Sequence, residues 1–168
     1  MIQPIWKELS NKDSWTYSEL IIICNILYIF ENEAIDPMAH RVFRELKKYE
    51  GYKAADHLRI RAIFNYCTLL RVHDRMAETR TLLVEGLALA MRKQDTFMML
   101  EYRFRLAEID AVQGKKEMVQ LDEKVRLYLL GLLLIGAKKE VEDLQADWEK
   151  RTGRFIDLQK EVETLEGN

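Results

Sequence analysis

The sequence predicts an all-α protein: a right-handed α-solenoid of tetratricopeptide-like helix pairs with a C-terminal helical extension. Three observations carry that prediction. First, two prolines, Pro4 and Pro37, and seven glycines are few breaks for 168 residues otherwise rich in good helix formers. Second, no Val/Ile/Thr-rich alternation is bounded by Asn-Gly or Asp-Gly turns, so hairpin signals are absent. Third, helix starts at Thr16, Asp56 and Asp95 recur at a period of about 40 residues, and the turns Glu31-Asn32, His73-Asp74 and Gln113-Gly114 keep a similar period. A helical bundle is the architectural alternative.

Each helix is marked by its punctuation. Ser14 precedes a helix over 15–30, and Asp36-Pro37 reads as N-cap and first-turn proline of a helix over 37–49 that Gly51 stops. Asp56 opens a third helix to Val72. Asp74 opens a fourth through Arg92, with Met76, Leu83, Leu87, Ala90 and Met91 as apolar positions. Asp95 caps a fifth that ends near Gly114. A sixth covers 115–135, and 138–165 forms one or two more, divided at Gly153. The expected organisation is a linker and short helix over 1–13, a three-pair sensor domain over 14–135, and capping or dimerisation helices over 136–168.

Composition excludes several functional classes. The 26 Lys and Arg nearly cancel the 28 Asp and Glu, so the chain has no global field to draw nucleic acid to itself. Cys24 and Cys67 sit inside apolar runs as free thiols, which points to a reducing cytoplasm. The N-terminus lacks the pattern of a signal peptide, and the most apolar stretch, 20–30, is too short to span a bilayer, so no membrane partner is expected. His40, His57 and His73 show no HExxH spacing, the cysteines form no CxxC pair, and no phosphate-binding loop or nucleophile elbow is present. No enzyme, metal or cofactor is expected. Glu140, Glu142, Asp143 and Asp147 read as a solvated helix face.

In such a solenoid the first helix of each pair lines the concave surface. Repeat phase places Asn25, Asn65 and Arg105 in one strip, with Ile21, Arg61 and Glu101 one turn earlier and Tyr28, Thr68, Tyr66 and Tyr102 beside them. An asparagine offers one acceptor and two donors to an extended peptide backbone, and an arginine can grip a carboxylate bidentately. Ile21, Tyr28, Phe64 and Leu106 could supply side-chain pockets. The competing reading is that Asn25 and Asn65 bond to neighbouring helices in the core. The tail carries an apolar seam from Leu127 to Leu165 with alternating spacings of three and four, interrupted by Arg151. That seam either caps its own solenoid or pairs two protomers through Val141, Leu144, Trp148, Phe155, Leu158 and Val162.

The stretch from Leu9 to Phe30 resembles the opening of the C-terminal domain of the Rgg/GadR/MutR regulators, on Asp13, Trp15, Thr16, Tyr17, Glu19, Leu20 and Asn25. The resemblance implies a tetratricopeptide-like domain that binds a short peptide pheromone, dimerises, and meets DNA only through an N-terminal helix-turn-helix that this sequence lacks. Asn25 lies at the family's matching asparagine. The expected function is a peptide-sensing regulatory domain, either separated from a longer regulator or free-standing. A protein-protein scaffold without a peptide ligand is the alternative.

Overall fold

A computed structural model describes residues 9, 11–29, 32–114 and 116–166. These residues are helical without a strand: α1 (Tyr17–Ile26) with a 3₁₀ turn (Leu27–Ile29), α2 (Asn32–Lys47), α3 (Lys53–Val72), a second 3₁₀ turn (Met76–Glu78), α4 (Arg80–Lys93), α5 (Thr96–Val112), α6 (Met118–Leu134), α7 (Lys138–Thr152) and α8 (Gln159–Glu166). The all-helical class is as expected. Most of the anticipated linker over 1–13, together with Phe30, Glu31, Lys115 and the side chain of Leu165, lies outside the described residues. Helices α1, α3 and α5 begin 36 and 43 residues apart, so the period is less even than the sequence suggests. The chain forms two compact units, residues 1–82 and 83–168.

In the first unit, Trp15 fixes where α1 begins. Its ring is buried, its Nε1–H donates to the Leu9 carbonyl at 2.8 Å, and its backbone N–H donates to the buried Glu45 carboxylate at 3.1 Å. Tyr49 donates its hydroxyl to the Trp15 carbonyl at 3.2 Å, and the Arg41 guanidinium lies 4.0 Å over the indole. Satisfying every polar atom of a buried tryptophan lets it contribute its full apolar area to the core. Thr16, rather than Ser14, is the N-cap. Its side chain accepts from Glu19 N–H while Glu19 accepts from Thr16 N–H, a reciprocal capping box. Tyr17 packs against Tyr49 at a ring separation of 5.7 Å. The residues that carry the family resemblance are thus chiefly a helix-start and packing device.

Other expected starts move. Helix α2 begins at Asn32 and carries Pro37 inside it. The Asp36 carboxylate is engaged instead by Arg75 at 3.0 and 2.8 Å and by the Tyr66 hydroxyl at 2.9 Å. Asp74 does not open a helix. It follows the α3 C-cap at φ +58°, and the Arg75 N–H reaches back to the Leu70 carbonyl at 2.7 Å, which closes the helix end. The chain then makes the second 3₁₀ turn before α4 starts at Arg80. Asp56 sits in the first turn of α3, where its charge suits the helix dipole, after a start at Lys53.

In the second unit, Asp95 caps α5 as expected, accepting from Met98 N–H at 3.2 Å. The tail divides at Gly153, which takes the left-handed conformation at φ +70° that ends α7. The core gathers Phe104, Leu121, Val125, Leu129, Leu132, Val141, Leu144 and Trp148, with Phe104 and Trp148 edge to face at 6.2 Å. Trp148 donates to Asp122 at 3.1 Å. Gln145 donates to the Ile156 carbonyl at 2.6 Å, and Arg126 to the Asp157 carbonyl at 2.7 Å, which seats the extended segment between α7 and α8.

Candidate functional site

A groove of about 260 Å³ lies in the first unit between α1 and α3, lined by Cys24, Leu27, Tyr28, Asn65, Thr68, Leu69, Val72 and His73. Its construction starts where α1 tightens into the 3₁₀ turn. The Cys24 carbonyl at that transition accepts from Asn65 Nδ2 at 3.2 Å. A carbonyl can only accept, so this bond settles which way the Asn65 amide points. Asn65 Oδ1 is left without a hydrogen-bond partner among the described residues, as is the half-buried Thr68 hydroxyl one turn on.

The floor is apolar, because Cys24, Leu27 and Leu69 are buried, while Tyr28 and Val72 stand 72% and 65% exposed as the walls. Burial pushes the Cys24 thiol up to about 12, so it behaves as a small apolar group rather than a nucleophile. His73 closes the groove as C-cap of α3. The turn after it is held by the Arg75 bridge to Asp36 and Glu78. The Arg75 guanidinium holds the Asp36 carboxyl below its ordinary range, and burial followed by the Asp36 hydrogen bond raises the Tyr66 phenol to about 12.

Of the residues singled out from the sequence, Tyr28, Asn65 and Thr68 meet in this groove. Asn25 and Arg61 are exposed on α1 and α3 and do not line it, and Ile21 is likewise exposed. Phe64 and Leu106 are half-buried. Asn65 bonds to a neighbouring helix, as its competing reading holds, and it also borders the groove.

In the second unit, Arg105 is 12% exposed and already committed to Asp147 at 2.7 Å and Glu108 at 3.2 Å. Tyr102 is fully buried against Gly86. Val141, Leu144, Trp148 and Leu158 lie in this unit's own core, Val162 packs at its edge, and Phe155 is 61% exposed. Leu27, Leu69, Val72 and His73 were not anticipated as groove residues. Their signal was the face Asn65, Thr68, Leu69 and Val72, which share one side of α3 at spacings of three and four.

Among the described residues, no group of three His, Cys, Asp or Glu side chains could hold a metal ion, and no helix is long and apolar enough to cross a membrane. No curated protein and no solved structure matches the chain significantly. The family model for the C-terminal domain of the HTH-type transcriptional regulator Rgg matches residues 8–124, a span that takes in the Trp15 anchor, the groove and the start of α6. With well over half of its length matched, the chain belongs to the Rgg family of transcription regulators, as the domain that stands C-terminal in them.

Proposed function

We propose that this chain is the peptide-sensing domain of a bacterial transcription regulator, and that the α1–α3 groove takes a short signalling peptide. One observation carries the reading: Asn65 is oriented by the Cys24 carbonyl and offers Oδ1 over an apolar floor, with Tyr28 and Thr68 beside it. An extended peptide supplies what that arrangement lacks. A backbone N–H donates to Asn65 Oδ1, a backbone carbonyl accepts from Thr68 Oγ1, and an apolar side chain covers Leu27 and Leu69 between Tyr28 and Val72. Asn25 and Arg61, exposed on the same two helices, are proposed as flanking contacts.

The reading includes the tetratricopeptide-like stacking suggested by the repeated helix starts, a homodimer, and coupling to DNA through a helix-turn-helix domain. Free buried cysteines are compatible with the reducing cytoplasm it requires. Peptide binding acts on transcription by favouring one of two states of the domain, so the peptide must bind those states with different affinity.

The test is thermal unfolding of the purified chain against short apolar peptides from the source bacterium's medium, since a ligand selective for the native state raises the transition. A reproducible rise with wild type that Asn65→Ala reduces, and that Asn25→Ala reduces less, supports the groove. Loss of one buried acceptor is expected to weaken affinity by about 1–3 kcal/mol. No rise with any fraction favours a protein-protein scaffold instead.

A further inference from the structure

A second cavity of about 420 Å³ opens where three helix ends of the first unit converge. It is lined by Tyr17 at the start of α1, Lys48 and Tyr49 just after α2, and Tyr52 and Ala54 at the start of α3. Ala54 is in the first turn of α3 and Asn65 lies about 16 Å further along it, so this cavity is distinct from the α1–α3 groove.

Its walls are aromatic. The Tyr17 and Tyr49 rings are 5.7 Å apart at an interplanar angle of 56°, and Tyr52 is 71% exposed. Tyr49 has spent its hydroxyl on the Trp15 carbonyl at 3.2 Å, whereas the Tyr17 and Tyr52 hydroxyls have no hydrogen-bond partner among the described residues. Open tyrosine faces favour a planar unsaturated guest, because ring packing adds to the apolar area such a guest buries.

The charge of the lining fixes the sign of the guest. Lys48 is the one charged residue among the described lining residues. Its ammonium donates to Glu45 at 2.7 Å, but that carboxylate is buried and also accepts the Trp15 N–H, while an ammonium has two further hydrogens to give. Ala54 adds polarity of the same sign. The Lys53 and Ala54 N–H groups open α3, Tyr52 gives them no side-chain cap, and neither meets a backbone acceptor among the described residues. With donors to spare and no carboxylate lining it, the cavity complements an anion.

We propose that this cavity binds a small aromatic carboxylate, with its ring against Tyr17 and Tyr52 and its carboxylate on Lys48. The volume suits a single ring with a short acidic arm. A cationic guest would meet the same rings but also the Lys48 charge. The site is independent of peptide binding, so either can fail while the other stands.

Titration of the full chain with phenylacetate, followed by ligand-observed NMR, tests it, and circular dichroism checks that each variant is folded. A Kd of about 1 mM is expected for a guest of about ten non-hydrogen atoms. Cyclohexylacetate, with the same charge and no aromatic ring, should bind about fivefold more weakly, and phenethylamine, with the same ring and the opposite charge, should not compete. Tyr52→Ala and Lys48→Gln should each weaken phenylacetate by about fivefold or more, while Lys48→Arg, which keeps the charge, should retain most of the affinity. Equal binding of phenethylamine overturns the anion assignment, and equal binding of cyclohexylacetate overturns the aromatic one. Binding indifferent to both Tyr52→Ala and Lys48→Gln, or no binding of phenylacetate about tenfold above the expected Kd, overturns the site.

Discussion

The Glu45 carboxylate accepts the backbone N–H of Trp15 at 3.1 Å, joining residues 30 apart in sequence inside the first unit's core. Burial pushes this carboxyl up, but the Lys48 ammonium at 2.7 Å, the Trp15 N–H and the Arg41 charge together hold it below its usual 4.5. A group with a depressed folded pKa stabilises the fold above its unfolded value, and that contribution fades as pH falls through the folded value. Glu45→Ala, which leaves the Trp15 N–H buried without an acceptor, is expected to cost about 1–3 kcal/mol at neutral pH. Urea unfolding at pH 7 and below pH 4 should show the gap between wild type and variant shrinking in acid. An equal gap at both values would mean that the carboxylate's charge is not what holds Trp15.

Gly86 makes room for Tyr102. A Cβ at residue 86 would stand 2.3 Å from the Tyr102 ring carbon Cζ, and Tyr102 is fully buried, so the ring has little freedom to yield. Gly86→Ala is therefore expected to destabilise by about 1–3 kcal/mol through overpacking, against a helix-propensity gain that never exceeds about 1 kcal/mol. Combining it with Tyr102→Leu should recover part of the loss, and a double-mutant cycle by thermal unfolding measures the coupling. Strict additivity would show that the two residues do not meet.

This pair also marks how far the sequence could be read. Repeat phase puts Tyr102 beside Arg105 in a ligand strip, but phase reports only position along a helix. Which helix covers that position depends on Gly86, a single glycine inside a helical run. Helix existence and the start at Asp95 were legible because caps act within one turn. The start at Thr16 was equally local, and the reciprocal capping box written as Thr16-Tyr17-Ser18-Glu19 fixes it. Asp36 and Asp74 misled for a different reason. Asp36 serves a long-range bridge to Arg75, and Asp74 ends a helix at positive φ, neither of which is encoded in neighbouring residues. Asn65 was legible as a groove residue by residue type, whereas the Cys24 carbonyl that orients it depends on a 3₁₀ turn that α1's composition does not announce.

Gln94 follows α4 at φ +55°, and Asp95 N–H bonds back to the Ala90 carbonyl at 3.0 Å, so the residue sits where left-handed backbone is obligatory. Glutamine pays a steric cost there that glycine does not, and Gln94→Gly is expected to raise stability by about 1 kcal/mol. Asp74, at φ +58°, is the internal comparison. Aspartate tolerates this region better, so Asp74→Gly should gain less. Chemical denaturation of both variants checks the order, and a destabilised Gln94→Gly would refute the helix-end assignment.

Cys24 and Cys67 are both buried, and burial pushes each thiol from 9 up to about 12. Because only the thiolate attacks, a shift of that size lowers the reactive fraction at pH 8 by roughly a thousandfold, so labelling of the native chain must proceed through local opening. Unfolding in denaturant should release two rapidly reacting thiols where the native chain shows almost none. The two then part company, since Cys24 floors the groove while Cys67 lies away from it, its Sγ 4.0 Å from the Thr79 carbonyl. A peptide seated over Leu27 and Leu69 must suppress the opening that exposes Cys24. In a Cys67→Ala background a bound peptide is expected to slow labelling further, whereas in a Cys24→Ala background the effect on Cys67 should be smaller. Equal protection of both would indicate global stabilisation by a ligand bound elsewhere, and native Cys24 reacting at the unfolded rate would show that the groove floor is open to solvent.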